Sequence, residues 1–427
     1  MLKQLEVNKL SRKCASVLFW AMITTVSIFA PIQEAQAHGE RNQEPFLRMR
    51  TIHWFDVEFS RPANDVMQVN ELLTITGKFR LFSFWPDQLP GPEKIYLNTV
   101  SAGAVFTKVE SWVNEKSAVQ SFKGQLGRDY EFKIVMKARW EGDWHVHPMV
   151  NVLDAGGLVG PGVNYTVEGS YSDYRHSITT ISGLVIDDVS TFSMNRIYSW
   201  HALWAVLALI WIIWWVRRPL LIPRYLMNKQ GDYEDVLVTK TDRIVSGAFI
   251  VLILAIIIIS MNMATSEFPR TITLQAGTAV IPPIDEIPSV KIDMKNGQYF
   301  IPGRTVIANM RVTNNQDRPI RLGEFTSANL RFLDRSVKGI NDGKEQNFPQ
   351  ELIAKEPLRI SDNSPLMPGE SRDVRIEATD VAWEVERLSS LLNDPESTIG
   401  ALLYFYDDEG TRYISELFGN VIPVFKK

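Results

Sequence analysis

Two histidines with one residue between them stand in a segment typical of an extended strand. They are His145 and His147, within residues 142–149, GDWHVHPM. Successive side chains on a strand point to opposite faces, so these two histidines share a face and Val146 takes the other. This spacing offers a metal ion two imidazoles from one rigid element. On spacing alone, a surface or hydrogen-bonded histidine pair is the simpler interpretation.

A third nitrogen ligand stands far upstream, at the end of an export signal. Residues 1–37 have a basic start, an apolar stretch and a small-residue ending, and they predict a cleaved signal peptide. An uncleaved anchor is the alternative. After cleavage His38 is the first residue of the chain, and both its amine and its ring can bind a metal. If the fold brings His38 beside His145 and His147, the three residues form a nitrogen-rich copper site.

Composition narrows the chemistry that such a site can use. The only cysteine, Cys14, lies in the predicted signal peptide. The mature chain therefore has no thiol, which excludes disulfides, thiolate zinc sites and blue-copper electron-transfer sites. Removal of the signal changes the net charge from −4 to about −6. Nothing in this balance indicates binding to nucleic acid.

Other polar residues are weaker candidates. His53 lies in an alternating strand pattern and is expected to point inward, where a hydrogen-bonded core histidine is the ordinary case. Asp143 or Glu40 could orient a ring N–H of the copper ligands. Met149 shares the strand face of the histidine pair, and packing is favoured over ligation. The remaining histidines have still weaker patterns: His176 and His201.

The hydrophobic periodicity of the sequence predicts the strands and helices that position these residues. Residues 38–196 contain short alternating strands separated by Pro/Gly turns, which favour an antiparallel sandwich. The apolar runs 197–216 and 244–264 are each long enough to span a bilayer core of about 30 Å, although buried soluble helices are the alternative. Residues 217–243 carry six Lys/Arg residues and are predicted to be cytoplasmic. Residues 265–427 return to strand patterns and contain no histidine.

The sequence therefore predicts a mainly β protein with two transmembrane helices. The helices join two β-sandwich domains, and both domains face the periplasm. The location expected is a bacterial inner (or intracytoplasmic) membrane, with a multi-pass topology.

Ordered motifs along the whole mature chain resemble the B subunit of the copper membrane monooxygenases, the group of ammonia monooxygenase and particulate methane monooxygenase. The motifs include residues 38–40 (HGE), 44–54 (EPFLRMRTIHW), 143–149 (DWHVHPM), 160–162 (GPG), 217–219 (RRP), 274–277 (LQAG), 321–325 (RLGEF) and 361–365 (SDNSP).

The resemblance implies a concrete architecture. Members of this family have two periplasmic cupredoxin-like β-sandwiches joined by a transmembrane helical hairpin. Copper would be bound in the N-terminal sandwich by His38, His145 and His147. His53 matches a histidine that binds another copper in some members, and its usual glutamine companion falls at Glu416 in this chain. Family members work with A and C subunits, generally as a trimer of ABC units.

The expected function is that of a copper-dependent monooxygenase subunit. The reaction would use dioxygen to oxidise ammonia to hydroxylamine, and the catalytic centre could lie in the partner subunits. Oxidation of methane to methanol by a particulate methane monooxygenase is the first alternative. A non-catalytic copper-binding scaffold of the same complex is the second.

Overall fold

The chain folds as a first β-sandwich, a helical hairpin and a second β-sandwich. A computed structural model describes residues 43–101, 103–180, 183–219, 221–231, 234–268, 277–301, 304–340, 348–388, 391 and 396–425. Their structure is mainly β, with two helices long and apolar enough to cross a membrane. The predicted fold class is thereby confirmed.

In the described part of the chain, the first element before the hairpin is a short helix, α1 (Pro45–Arg50). The strands that follow are β1 (Ile52–Phe59), β2 (Val66–Gln68), β3 (Leu72–Leu81), β4 (Ile95–Val100), β5 (Phe106–Val113), β6 (Lys116–Ser117), β7 (Ser121–Phe122), β8 (Arg128–Ala138), β9 (Gly142–Val152), β10 (Gly156–Val159), β11 (Val163–Glu168), β12 (Ile178–Thr179) and β13 (Val185–Ile186). A 3-10 helix, Tyr171–Asp173, lies between β11 and β12.

Two long helices form the hairpin, and two short ones connect them. They are α2 (Met194–Val216), α3 (Ile222–Gln230), α4 (Glu234–Leu237) and α5 (Lys240–Glu267). Only 6% of the apolar window of α2 and 0% of that of α5 is buried within the chain. The alternative of buried soluble helices does not match this exposure, because a core helix buries its apolar side chains.

The second long helix begins earlier than residue 244, where hydropathy placed its start. The Thr239 side chain accepts a hydrogen bond from the Asp242 backbone N–H, and the Asp242 carboxylate accepts one from the Thr239 backbone N–H. This reciprocal capping box satisfies backbone donors at the helix start. Polar residues outside the apolar run therefore belong to α5.

The first sandwich packs two sheets around an apolar core. One sheet has the strand order β1-β3-β8-β5-β6. The other has the order β14-β7-β4-β9-β11-β2, with β10 also paired to β9, where β14 is Thr278–Ala279. Alternate residues of facing strands are fully buried between the sheets, among them Ile75, Phe79, Val146 and Val150. This period of two is what a half-buried strand requires.

Strand β14 follows the helical hairpin in sequence, but it belongs to a sheet of the first sandwich. It pairs in parallel with β7, with Thr278 opposite Ser121. Downstream, Ile281 is buried and the Ile284 N–H donates to the Asp129 carbonyl at 3.0 Å. Residues 277–284 thus pack on the first sandwich, although their sequence position predicted a place in the second domain, starting at residue 265.

The second sandwich consists of β15 (Lys291–Ile301), β16 (Thr305–Thr313), β17 (Ile320–Ser327), β18 (Leu330–Leu333), β19 (Arg359–Ile360), β20 (Ser371–Thr379), helix α6 (Ala382–Val385), β21 (Thr398–Asp407) and β22 (Arg412–Phe425). A 3-10 helix, Gln350–Leu352, precedes β19. The strand order is β18-β17-β21-β22-β15-β16-β20-β19. Strand β22 pairs with β21 up to Asn420 and with β15 from Val421 onward. A strand that changes partners in this way joins two layers at a corner.

Residues 43–51, termed here the N-terminal arm, lie against both sandwiches. The Arg48 guanidinium donates to the Glu386 carbonyl at 2.8 Å and to the Ala328 carbonyl at 3.2 Å. It also forms an ion pair of 3.3 Å with the Glu386 carboxylate, and both side chains are buried. The arm therefore precedes the first sandwich in sequence, and these bonds attach it to the second sandwich.

Candidate metal centre

Strand β9 positions the two histidines of the His-x-His motif. The strand lies between β4 and β11, so its backbone is held on both edges. The ring centroids of His145 and His147 are 4.4 Å apart, with an angle of 75° between the ring planes. His145 is half-buried and His147 is fully buried. Val146 points into the sandwich core on the opposite face, as the alternation of a strand requires.

The His145 ring is oriented by the strand beside it. Asn164 stands directly opposite His145 in the β9–β11 register. The Nδ1 atom of His145 lies 2.6 Å from Oδ1 of Asn164, an oxygen that only accepts hydrogen bonds. The proton is therefore on Nδ1, and Nε2 carries the lone pair that a metal requires.

The His147 ring is oriented by a backbone carbonyl. Its Nδ1 lies 2.9 Å from the carbonyl oxygen of Gly160, in the loop after β10. A carbonyl accepts a hydrogen bond, so Nδ1 donates and Nε2 again carries the lone pair. Both imidazoles thus have the same tautomer, with the other ring nitrogen held by the protein, as is usual for metal-binding histidines.

Gly162 lies close against both imidazole rings. A Cβ placed on this glycine would lie 2.8 Å from Nε2 of His145 and in collision with the His147 ring. Only glycine therefore permits the loop to lie this close to both imidazoles. Two adjacent imidazoles suit a borderline metal ion, and copper is the strongest binder of the divalent series at nitrogen sites.

The third predicted ligand, His38, lies outside the described residues. Within the ranges that the structure describes, no group of three or more His, Cys, Asp or Glu side chains is close enough to hold a metal ion. The structure thus brings together two of the three predicted copper ligands.

The residues that orient the rings differ from those expected. Asp143 accepts a hydrogen bond of 2.6 Å from the Thr166 hydroxyl instead of one from an imidazole. Glu40 lies outside the described residues. Asn164 and the Gly160 carbonyl orient the rings, and sequence reasoning missed both. The glycines of the 160–162 turn were the available signal, because a close backbone approach commonly requires them.

Met149 serves packing. Its Sδ would lie 2.5 Å from a Cβ placed on Gly157 of β10, so the thioether is pressed against that strand. Gly157 is directly paired with Asn151, two residues after Met149, in the β9–β10 register. This contact agrees with the packing role favoured from the sequence.

His53 points inward on β1 and is 2% exposed. Its Nε2 donates to the Met49 carbonyl at 2.9 Å, and its ring packs 4.7 Å from the ring of Phe82. Burial lowers the pKa of His53 to about 3, an effect that the hydrogen bond to Met49 partly offsets. The ring is therefore neutral at physiological pH and is bonded as a core residue would be.

Glu416, at the position of the family's glutamine, lies on β22. Its carboxylate accepts a hydrogen bond of 3.2 Å from the Ser83 backbone N–H. Burial raises the pKa of Glu416 above its usual range, although Ser83 and the charge of Arg80 lower it. Among the described residues, no hydrogen bond or ion pair joins Glu416 to His53.

The two other histidines are apart from the pair. The ring of His176 stacks on Tyr174 with centroids 6.4 Å apart, and burial lowers its pKa. His201 lies in α2, where its Nδ1 donates to the Ile197 carbonyl at 2.8 Å. Neither contributes to the site on β9.

The fold and the site define a class of protein: a membrane protein in which two β-sandwiches accompany a helical hairpin and one sandwich carries a rigid pair of imidazoles. Within this class the chain belongs to the family of monooxygenase B subunits. The family model that describes the monooxygenase B-subunit protein matches residues 39–425. The resemblance found in the sequence is thereby confirmed, and the chain is a subunit of a multi-subunit monooxygenase.

A relative that matches nearly the whole chain agrees with this assignment. The chain is 40% identical over 415 residues to the "particulate methane monooxygenase alpha subunit" of Methylococcus capsulatus (Bath), covering 97% of this chain and 98% of that protein. Among solved structures, the cupredoxin domain of amoB from Nitrosocaldus yellowstonii is 16% identical with a TM-score of 0.24, over 32% of this chain and 98% of that domain. A PapD-like domain of human CEP192 is 12% identical with a TM-score of 0.18, over 36% and 99%. Structural overlap this small supports no functional argument.

Proposed function

We propose that this chain is the copper-binding B subunit of a membrane-bound monooxygenase, with copper bound by His38, His145 and His147. The complex would use dioxygen to oxidise ammonia to hydroxylamine. The observation that carries the proposal is the geometry of β9. Two imidazoles share one face, and both Nδ1 protons are held by Asn164 and Gly160.

The N-terminal arm supports the inclusion of His38. The Gln43 side chain donates to the Gly157 carbonyl, and its oxygen accepts from the Val159 N–H at 3.3 Å. Val159 directly precedes Gly160, whose carbonyl holds the His147 ring. A chain from Gln43 back to His38 spans at most roughly 17 Å, so the terminal histidine has the length to reach the pair. The proposal requires signal cleavage before residue 38.

The residues of this chain would hold and orient the metal. When bound, copper supplies one-electron redox chemistry towards dioxygen. His145 and His147 offer neutral nitrogen donors, and Asn164 and Gly160 keep the ring protons away from the metal side. Because His147 is fully buried, water has little access to that ring, whereas half-buried His145 leaves an approach from solvent.

Methane is the second candidate substrate, since the relative from Methylococcus capsulatus is named for it. The motifs HGER (38–41) and GRDYEF (127–132) favour ammonia, whereas DWHVH (143–147) favours methane. A non-catalytic copper-binding scaffold is a further candidate, because the catalytic centre could lie in the A or C subunit. The assembly proposed is a trimer of ABC units, with the A and C subunits as partners of this chain.

The proposed orientation places both sandwiches in the periplasm. The connection between the long helices, together with the first turn of α5, carries six basic residues: Arg217, Arg218, Arg224, Lys229, Lys240 and Arg243. Loops rich in arginine and lysine remain in the cytoplasm, so a cytoplasmic connection directs both flanking domains outward. This topology agrees with the predicted export signal.

Substrate-dependent oxygen uptake by native membranes tests the proposal. Ammonia should stimulate uptake and yield hydroxylamine, whereas faster uptake with methane and formation of methanol would assign the second candidate.

Membranes with His145→Asn/His147→Asn should contain the assembled complex but lose copper and activity. His176→Asn is the matched control and should retain both. An active double variant would instead identify a scaffold, and a wild-type complex without copper in this chain would overturn the proposal.

A further inference from the structure

The end of the helical hairpin remote from the sandwiches carries a groove that is both apolar and basic. This basic groove has a volume of about 690 Å³. Its lining residues are Leu221, Arg224, Tyr225, Asn228, Leu237, Val238 and Arg243. It lies between α3, the segment after α4 and the first turn of α5, at one end of helices that are long enough to span a membrane.

Two arginines give the groove a net positive charge. Nearby Arg218 is neutralised within the chain by Asp242 at 3.1 Å, and that carboxylate also accepts from Trp214 Nε1 at 3.1 Å. In contrast, neither Arg224 nor Arg243 forms an ion pair with a carboxylate in the ranges that the structure describes. The groove therefore offers two guanidinium groups to an outside anion.

Arg224 is held in place by its own surroundings. Its Nη1 donates to the Leu237 carbonyl at 3.4 Å, and its guanidinium lies 5.7 Å from the centroid of the Trp215 ring. One of its five donors is used in the carbonyl bond, which leaves the others available to an anion. A guanidinium oriented before binding loses less side-chain entropy when it binds.

The large apolar and aromatic side chains around the groove are exposed in the isolated chain. Leu221 is 86% exposed, Ile222 71% and Tyr225 64%. A short helix with exposed apolar residues and Arg or Lys beside them is typical of a segment at the membrane interface. Because α3 follows the end of a membrane-length helix, its apolar side chains can enter the lipid while its arginines remain at headgroup depth.

We propose that the basic groove binds one anionic phospholipid. Arg224 and Arg243 would bind the headgroup phosphate, a geometry that guanidinium groups favour. Tyr225 and Asn228 would supply further hydrogen bonds, and Leu221 and Leu237 would contact the start of an acyl chain. A zwitterionic lipid carries its own cation beside the phosphate, so a lipid with net negative charge is the better complement. This site is independent of copper and of the oxidised substrate.

Lipid retention measured by native mass spectrometry tests the proposal on the intact purified complex. The complex is exchanged into mixed micelles that contain phosphatidylglycerol and phosphatidylcholine. One phosphatidylglycerol per copy of this chain should stay bound in the wild type. Arg224→Gln/Arg243→Gln should weaken its retention roughly 10- to 30-fold, because two basic residues contribute this much to binding at an anionic membrane surface. Arg224→Lys/Arg243→Lys should restore most of the retention.

Lys229→Gln/Lys240→Gln is the matched control, since it removes the same charge from the same connection but outside the groove. Equal loss of phosphatidylglycerol in this control would overturn a specific site. So would full retention in the arginine-to-glutamine variant. A photo-crosslinker at Leu221 that captures an acidic segment of a neighbouring polypeptide, and no lipid, would also overturn it. Unchanged polypeptide composition in every variant confirms that assembly is not the cause.

Discussion

At the scale of single residues, Gly162 determines how closely the loop after β10 approaches both imidazoles. We expect Gly162→Ala to force the loop or the rings apart, because its Cβ would collide with the His147 ring. Copper per chain should fall by half or more, and overpacking should cost about 1–3 kcal/mol of unfolding free energy. Metal analysis and thermal unfolding of the purified complex measure both effects.

Gly91→Ala is the control for this substitution, since a Cβ there meets nothing within 4 Å. It should leave copper content and melting temperature unchanged. A Gly162→Ala complex with full copper content would show that the space beside the rings is not part of the metal centre.

Glu416 gives a prediction about pH. Burial raises the pKa of this carboxyl in the folded chain, so folding favours its protonated form. Its contribution to stability is therefore complete below the unfolded pKa of about 4.3 and is lost as pH rises through the folded pKa. Glu416→Gln removes the charge, so it should raise the melting temperature at pH 8 and change it little at pH 4. An equal effect at both pH values would contradict this account.

At this scale, sequence reasoning predicted the position of the histidine pair better than the groups that orient its rings. Alternation along a strand was enough to place His145 and His147 on one face, because the period of a strand is local. Asn164 and Gly160 come from other segments, and only the β9–β11 register and the β10 turn bring them to the rings. Neither is apparent from spacing in a single sequence.

At the scale of elements, β14 completes the first sandwich from beyond the hairpin. Its pairing with β7 and the burial of Ile281 make residues 277–284 part of that domain. We expect a soluble fragment of residues 38–196 to be less stable than one with residues 277–287 attached through a flexible linker. Burial of Ile281 alone is worth roughly 1.5–3 kcal/mol, which corresponds to several degrees in melting temperature.

Calorimetry of the two fragments measures this difference. An attached segment with Ile281→Asp is the control, and it should give no stabilisation. Equal melting temperatures with and without the native segment would mean that β14 adds nothing to the domain.

Hydropathy predicted both long helices, because an apolar run of membrane length is a strong local signal. It did not give the start of α5, since Thr239 and Asp242 begin that helix through a capping box of polar residues. It also did not reveal β14, a two-residue strand whose partner lies more than 150 residues away.

At the scale of the whole molecule, the N-terminal arm connects the predicted metal centre to a domain without histidine. Arg48 and Glu386 form a buried ion pair between the arm and the second sandwich. We expect Arg48→Met to cost about 3–5 kcal/mol, because it leaves the Glu386 charge buried alone. Arg48→Met/Glu386→Met should recover most of that loss, as thermal unfolding of the purified complex can measure.

The exposed pair of Lys123 and Glu93, 2.6 Å apart, is the control. Its removal by Lys123→Met should cost less than about 1 kcal/mol, because surface ion pairs contribute little. A double variant at Arg48 and Glu386 no more stable than the single variant would contradict a paired role for these two charges.

The most direct test is electron paramagnetic resonance of the oxidised complex, purified from cells grown with either ¹⁴N- or ¹⁵N-histidine. A Cu(II) signal with nitrogen hyperfine splitting should change between the two isotopes. The same component should disappear in His145→Asn/His147→Asn, in a complex that keeps all its subunits. An isotope-dependent signal that persists unchanged in this double variant would contradict copper binding at β9.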